Sequence, residues 1–221
     1  MLRRLFSSPI ASSSLRVFSS AAPSAELEPM PSIILPKNRS TVFAAPQVTV
    51  PPFEITRRTG NVLAQAFYSF FIEKSFSVES LVHGANAGIH SVAGYFADER
   101  WDLMENLVVK ETVDNMKIAR QGLSEKLEKS LHFSPDDFCL SFLHSTIISG
   151  RDVFKLSSSK NISIYFTVVS YVRLSEKVPE NATIGQLNGK YKDDVLVCNA
   201  TFSRVLNPLG VWKITSANFF I

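Results

Sequence analysis

Residues 67–116 read FYSFFIEKSFSVESLVHGANAGIHSVAGYFADERWDLMENLVVKETVDNM, and this proline-free stretch decides the fold. From residue 81 onward its apolar side chains recur three and four positions apart, which is the spacing of one face of an α-helix. These residues are Leu81, Ala85, Ile89, Val92, Ala93 and Phe96. Ser77 is predicted to cap this helix, and Glu79 lies in its first turn, where the helix dipole favours a negative charge. The apolar face needs a covering layer, which we expect a sheet to provide.

The polar residues of the same stretch do not predict a catalytic or metal site. His83, Asn86 and His90 fall on the opposite face of the helix, and we expect them to face water. His83 and His90 are two turns apart, about 10 Å along the axis, which is too far for both to bind one metal ion. The acidic run at residues 98–102 is predicted to end the long helix and to begin another, because carboxylates are favoured in a first helical turn.

After Gly122 the pattern changes to the alternation of β-strands. Strand-like runs occupy residues 137–149, 161–174, 194–206 and 210–220. In the last run, Trp212, Ile214, Ser216 and Asn218 are predicted to lie opposite Lys213, Thr215 and Phe219. The long joint at residues 174–193 either carries function or is an exposed loop. We therefore predict an α+β fold in which N-terminal helices pack on one face of a curved four-stranded antiparallel sheet.

The N-terminus has the composition of a mitochondrial transit peptide. Residues 1–22 carry arginines and many serines, and no acidic residue occurs before Glu26. The alternative is a disordered tail without a targeting role. Residues 23–52 are rich in proline and serine, as expected of a linker. The remaining residues, 53–221, are predicted to form a single domain.

Charge argues against nucleic acid as a partner of the mature protein. Without Arg3, Arg4 and Arg16, the remaining 20 Lys and Arg residues equal the 20 Asp and Glu residues in number. We therefore predict no DNA binding, because that interaction depends mainly on phosphate charge. Both cysteines, Cys139 and Cys198, lie in strand-like runs and are predicted to be buried free thiols; the alternative is a disulfide or a metal-binding role.

Residues 53–74 predict a first helix with two unlike faces. One face is apolar and consists of Leu63, Phe67, Phe70 and Phe71. Another face carries Asn61, Gln65 and Ser69. The apolar run is far shorter than the roughly 20 residues needed to cross a bilayer, so we expect a soluble or peripheral protein. The apolar face is interpreted either as a membrane or partner contact or as ordinary core. The residues proposed for the contact are Arg57, Arg58, Phe67, Phe70, Phe71 and Lys74.

The segments SFSVESLVHGANAGIHSV and ADERWDLMENLVVKETVDNMK resemble the sequences of the mitochondrial m-AAA protease-interacting proteins. Those proteins share a domain with the matrix-side anchor subunit of the presequence translocase and with the inner-membrane receptor for mitochondrial ribosomes. The resemblance is good over residues 60–120 and looser over the strands to Ile221. It implies an α+β domain with an apolar pocket, located in the matrix and peripheral to the inner membrane. It also implies a non-enzymatic adaptor that binds the m-AAA protease and assists small inner-membrane proteins, such as the regulatory subunit of the calcium uniporter.

Two other functions are consistent with the pattern. The first is a docking protein for the mitochondrial ribosome or the import motor, against which the zero net charge of the mature body argues. The second, more remote, is a pocket enzyme, because cone-shaped α+β domains also house enzymes. Candidate catalytic residues on the strands are His144, Tyr165, Tyr171 and Asp194, which form no recognisable acid–base set. We predict no enzymatic activity, no cofactor and no metal.

Overall fold

The computed structural model describes residues 55–150 and 162–221, apart from the side chains of residues 55–58. The described residues belong to one compact unit. The helices are α1 (Ile55–Phe71), α2 (Val78–Ala97), α3 (Trp101–Leu107), α4 (Lys110–Arg120), α5 (Glu125–Ser130) and α6 (Ile184–Asn188). The strands are β1 (Phe138–Ser149), β2 (Ser163–Arg173), β3 (Val195–Val205) and β4 (Lys213–Phe220). The predicted transit peptide and linker, residues 1–22 and 23–52, lie outside the described residues.

The strands form one antiparallel sheet in the order β1-β2-β3-β4, which confirms the predicted α+β fold and meander. The apolar face of α2 packs on this sheet as predicted. Its buried residues are Ala85, Ile89, Val92, Ala93, Phe96 and Ala97. The hydroxyl of Ser77 caps the helix by accepting a hydrogen bond from the amide of Ser80, 3.0 Å away. The sheet residues in the same cluster include Val168, Val172 and Leu196.

The polar side of α2 is less exposed to solvent than predicted. Asn86 is not fully exposed to solvent. Its Oδ1 accepts a hydrogen bond of 2.7 Å from the hydroxyl of Ser170, a fully buried residue of β2. His90 is half-buried, and its ring lies 5.6 Å from the ring of Phe133. Only His83 is exposed as predicted. A buried hydroxyl on the sheet needs a hydrogen-bonding partner, and a polar residue on the flank of the helix provides it.

A bulge in β4 overturns the strict alternation predicted for that strand. Thr201 pairs with Ser216 while Phe202 pairs with Ile214, so Thr215 is the extra residue. Beyond the bulge, each residue of β4 points to the sheet face opposite to the one that strict alternation predicts. Ile214 and Phe219, predicted on opposite faces, therefore both pack in the core beneath α2.

The connection from β2 to β3 covers part of the other sheet face. Its side chains Val178, Ala182 and Leu187 are buried and pack on Tyr171 and Val197, among other sheet residues. Of the two roles predicted for this joint, that of an exposed loop is therefore wrong for these three residues. Their burial explains why successive residues of β3 are buried on both faces.

Each edge of the sheet is covered, at a few positions, by a segment that is not a strand. Along β4, the chain between α3 and α4 is extended, and the amide of Val109 donates a hydrogen bond of 2.9 Å to the carbonyl of Ile214. The hydroxyl of Thr112 donates one of 2.7 Å to the carbonyl of Thr215. Along β1 the closing element is α1. The break between α3 and α4 is thus where the chain leaves the helix to pair with the sheet edge.

Candidate functional site

Helix α1 turns its polar residues towards the sheet. Asn61 Nδ2 donates to the carbonyl of His144 at 3.0 Å, and Asn61 Oδ1 accepts from the amide of Thr146 at 3.1 Å. Gln65 Nε2 donates to the hydroxyl of Thr146 at 3.2 Å. One asparagine side chain thus forms the two hydrogen bonds that a neighbouring strand would make with the edge of β1. The predicted polar face of this helix is therefore its docked face.

Several apolar residues of α1 point outward, whereas Tyr68 is buried. Leu63 is 66% exposed, Phe70 is 74% exposed and Phe71 is 71% exposed. Val62, on the same side, is also exposed. The alternative that these phenylalanines are ordinary core is therefore wrong for Phe70 and Phe71. Phe67 is half-buried, and its ring centroid lies 5.1 Å from that of Phe71.

The structure brings part of the predicted contact set together. Phe67, Phe70 and Phe71 lie in the last two turns of α1, and Lys74 follows them as an exposed residue. Arg57 and Arg58 lie in the first turn of the helix, where only their backbone is described. The sequence places cations at both ends of the apolar face. Its role in binding stays a prediction.

A partly buried polar cluster holds the end of α1 against the sheet. The hydroxyl of Tyr68 donates to Glu73 Oε2 at 2.7 Å, and Arg204 donates to both of these groups at 3.1 Å. Arg204 also donates from Nε to the carbonyl of Gly210 and lies over the ring of Trp212. Burial, aided by the hydrogen bond to Glu73, raises the pKa of Tyr68 to about 12. Four segments, namely α1, the turn after it, β3 and the β3–β4 connection, therefore meet at one guanidinium.

An apolar cavity of about 340 Å³ opens between α2 and the sheet. Its walls include Leu81, Ala85, Leu107, Phe202, Trp212 and Ile214. Two glycines of α2 shape it. A Cβ at Gly88 would meet the ring of Phe202 at 3.2 Å, whereas a Cβ at Gly84 would meet nothing within 4 Å. The helix therefore approaches β3 closely at Gly88 and leaves open space at Gly84.

The residues considered as catalytic candidates do not gather at this cavity, since none of them is among its lining residues. Tyr171 is buried on the other sheet face, where its hydroxyl bonds to Asn188. Asp194 accepts a hydrogen bond at its carbonyl from the amide of Leu174. Tyr165 lies nine residues before Leu174 along the chain, about 30 Å away at 3.3 Å per residue. Tyr165 and Asp194 thus lie too far apart to act on one substrate.

Cysteine and metal chemistry find little support within the described residues. Cys198 is buried and free, and burial raises the pKa of its thiol well above the ordinary value. Cys139 is free and half-buried, so the predicted burial is complete only for Cys198. Over residues 55–150 and 162–221, no group of three or more His, Cys, Asp or Glu side chains is placed to hold a metal ion.

None of the helices that the structure describes is long and apolar enough to cross a membrane. Comparison of the sequence with protein-family models and with curated proteins found no match.

Sequence reasoning missed the part of the site that lies beyond α1. The sequence pattern predicts Arg204 and Trp212 only as strand residues, whereas the structure shows that they hold the end of the helix. One feature of the sequence could have indicated this part of the site. The run VLNPLGVW at residues 205–212 has no charged residue and lies between Arg204 and Lys213.

Proposed function

We propose that this protein is a non-enzymatic adaptor of the mitochondrial matrix that binds peripherally to the inner membrane through α1. The observation that carries the proposal is the orientation of this helix. Its polar residues are used to close the sheet edge, which leaves Phe70 and Phe71 exposed to solvent. A helix with a large apolar face and basic residues at its ends is suited to lie in the interface of an anionic bilayer.

The size of the exposed face supports a lipid contact of useful strength. Burying a fully exposed phenylalanine contributes about 1.5–3 kcal/mol. Two rings that are both about three-quarters exposed therefore contribute roughly 3 kcal/mol together, or about a hundredfold in partition. Lys74, which is exposed, adds about 1 kcal/mol near an anionic surface.

The adaptor role rests on the resemblance over residues 60–120. By that resemblance the protein binds the m-AAA protease and assists the sorting or assembly of small inner-membrane proteins, such as the calcium uniporter regulatory subunit. An N-terminal segment of transit-peptide composition agrees with a matrix location. The α1 contact would keep the adaptor beside the membrane where such clients are inserted.

Vesicle binding tests the membrane contact. Phe70→Ser with Phe71→Ser should lower binding to phosphatidylcholine vesicles containing phosphatidylglycerol about a hundredfold. The free energy of unfolding should change by about 1 kcal/mol or less, because both side chains are exposed. Ile118→Ser with Ile184→Ser is the matched control, since these isoleucines are exposed on α4 and α6. Equal binding by both variants would show that α1 is not the lipid contact.

Affinity capture tests the adaptor role. The full-length protein, captured from mitochondria, should bring down m-AAA protease subunits together with small inner-membrane proteins. Capture of ribosomal proteins or import-motor subunits in their place would favour the docking alternative and overturn the assignment to the protease.

A further inference from the structure

The tip of the β3–β4 hairpin, residues 205–212, is a second exposed apolar element. Its sequence VLNPLGVW contains no charged residue. Val205 is 41% exposed, Leu209 is 52% exposed and Val211 is 74% exposed. Exposed aliphatic side chains concentrated on one tight turn are unusual, because turns are normally rich in polar residues.

The tip is held rigidly in this exposed form. The amide of Gly210 donates to the carbonyl of Val205 at 2.9 Å, and Arg204 Nε donates to the carbonyl of Gly210 at 2.8 Å. The amide of Leu206 donates to the carbonyl of Ile162 at 2.8 Å, and the side chain of Leu206 is buried. The apolar side chains are therefore presented by a fixed backbone, so little ordering entropy opposes their burial in another phase.

The tip adjoins the end of α1. The rings of Tyr68 and Trp212 lie 6.3 Å apart, and Arg204 bonds to the hydroxyl of Tyr68. Phe71 is three residues from Tyr68, and Val211 precedes Trp212 directly. The two exposed apolar elements are thus neighbours on one end of the sheet.

Charge around this end favours an anionic surface over a second apolar protein face. Among the residues that the structure describes at this end, Arg204, Lys213 and Lys74 bring three cations, whereas Glu73 brings one carboxylate, which Arg204 already pairs at 3.1 Å. Lys213 Nζ donates to the backbone carbonyls of Glu105 and Asn106, at 3.1 and 2.7 Å, so these bonds leave its positive charge uncompensated by a carboxylate. A cationic rim around an uncharged apolar tip complements the headgroups and acyl chains of an anionic bilayer.

We propose that the β3–β4 hairpin tip inserts into the same anionic bilayer as α1 and acts as a second lipid contact. This inference rests on the proposed membrane function of α1. A single interfacial helix leaves the domain free to rotate about the helix axis. Contact at the tip as well fixes the orientation, with this end of the sheet at the membrane and α6, at the opposite end of β3, directed away from it.

The first test compares two pairs of serine substitutions in the full chain. Leu209→Ser with Val211→Ser should lower binding to the same phosphatidylglycerol-containing vesicles about thirtyfold, in proportion to the aliphatic surface removed. Ile118→Ser with Ile184→Ser should leave binding unchanged. The urea midpoint of the tip variant should stay close to that of the wild type, because both side chains are at least half exposed.

The second test reports insertion directly and does not depend on a loss of binding. In a Cys139→Ser background, Val211→Cys carries an environment-sensitive fluorophore, and Ile184→Cys carries the same fluorophore as control. Vesicles should shift the emission of the label at position 211 to the blue and leave that at position 184 unchanged.

The outcomes separate this inference from the proposed function. If the tip variant binds normally and the label does not shift, while Phe70→Ser with Phe71→Ser still weakens binding, the tip inference is wrong and the α1 contact stands. If neither variant weakens binding and the label at position 211 does not shift, both proposals fail. If the tip variant loses only the capture of a protein partner, the tip is a protein contact and the lipid assignment is overturned.

Discussion

Asn61→Ala removes both side-chain atoms that close the outer edge of β1. Two hydrogen bonds are lost, to the carbonyl of His144 and from the amide of Thr146. At a net contribution of about 1 kcal/mol each, the free energy of unfolding should fall by roughly 2 kcal/mol. Asn61→Asp should fall between the wild type and the alanine variant, because it keeps the acceptor for Thr146 and loses the donor for His144.

Urea unfolding measures this loss, and amide hydrogen exchange locates it. The amide of Thr146 should exchange faster in Asn61→Ala, since its hydrogen-bond acceptor is gone. Val62→Ala is the control on the neighbouring exposed position and should change the free energy of unfolding by about 0.5 kcal/mol or less. If Asn61→Ala costs no more than Val62→Ala and the exchange of Thr146 is unchanged, Asn61 does not dock the helix. The outward orientation of the phenylalanines would then lose its physical basis.

Three further predictions concern the core and its titratable groups. Gly84→Ala should stabilise the protein by about 1 kcal/mol, because its Cβ meets open space, whereas Gly88→Leu should cost about 1–3 kcal/mol by crowding a ring of β3; thermal or urea unfolding measures both. Because the pKa of Tyr68 is raised from 10.0 to about 12, folding favours the protonated phenol, and stability should decline as the pH rises between these values; urea titrations should show a smaller decline in Tyr68→Phe. In the native protein a disulfide reagent should modify half-buried Cys139 slowly and buried Cys198 only upon unfolding, as mass spectrometry of the labelled peptides would show.

The fold was predictable where one periodicity dominated. The three-and-four spacing around Ile89 and the alternation around Ile164 each gave both the element and its buried face. Prediction failed at Thr215, because an inserted residue exchanges the faces of a strand without any marked change in composition. The short helices α5 and α6 were also missed. Their N-capping residues, Ser124 and Thr183, are of types that favour a helix start. Segments this short nevertheless contain too few residues to show a helical period.

The candidate site shows a different limit. The sequence divided α1 correctly into an apolar and a polar face, yet it did not reveal which face was docked. That depends on the edge of β1, more than eighty residues away, where the carbonyl of His144 and the amide of Thr146 bond to the side-chain amide of Asn61. The usual expectation that apolar residues face inward was reversed by the need to pair Thr146 and His144.

The closed edges of the sheet also bear on how copies of this protein behave when crowded. An open strand edge is a template for pairing with another chain, and binding to a surface raises the local concentration of the bound protein. Here Asn61 occupies one edge, and Val109 with Thr112 occupies the other. Copies gathered side by side on a bilayer would therefore find no free strand to extend at these positions. Asn61, which positions α1, thus also blocks pairing with another chain at His144 and Thr146.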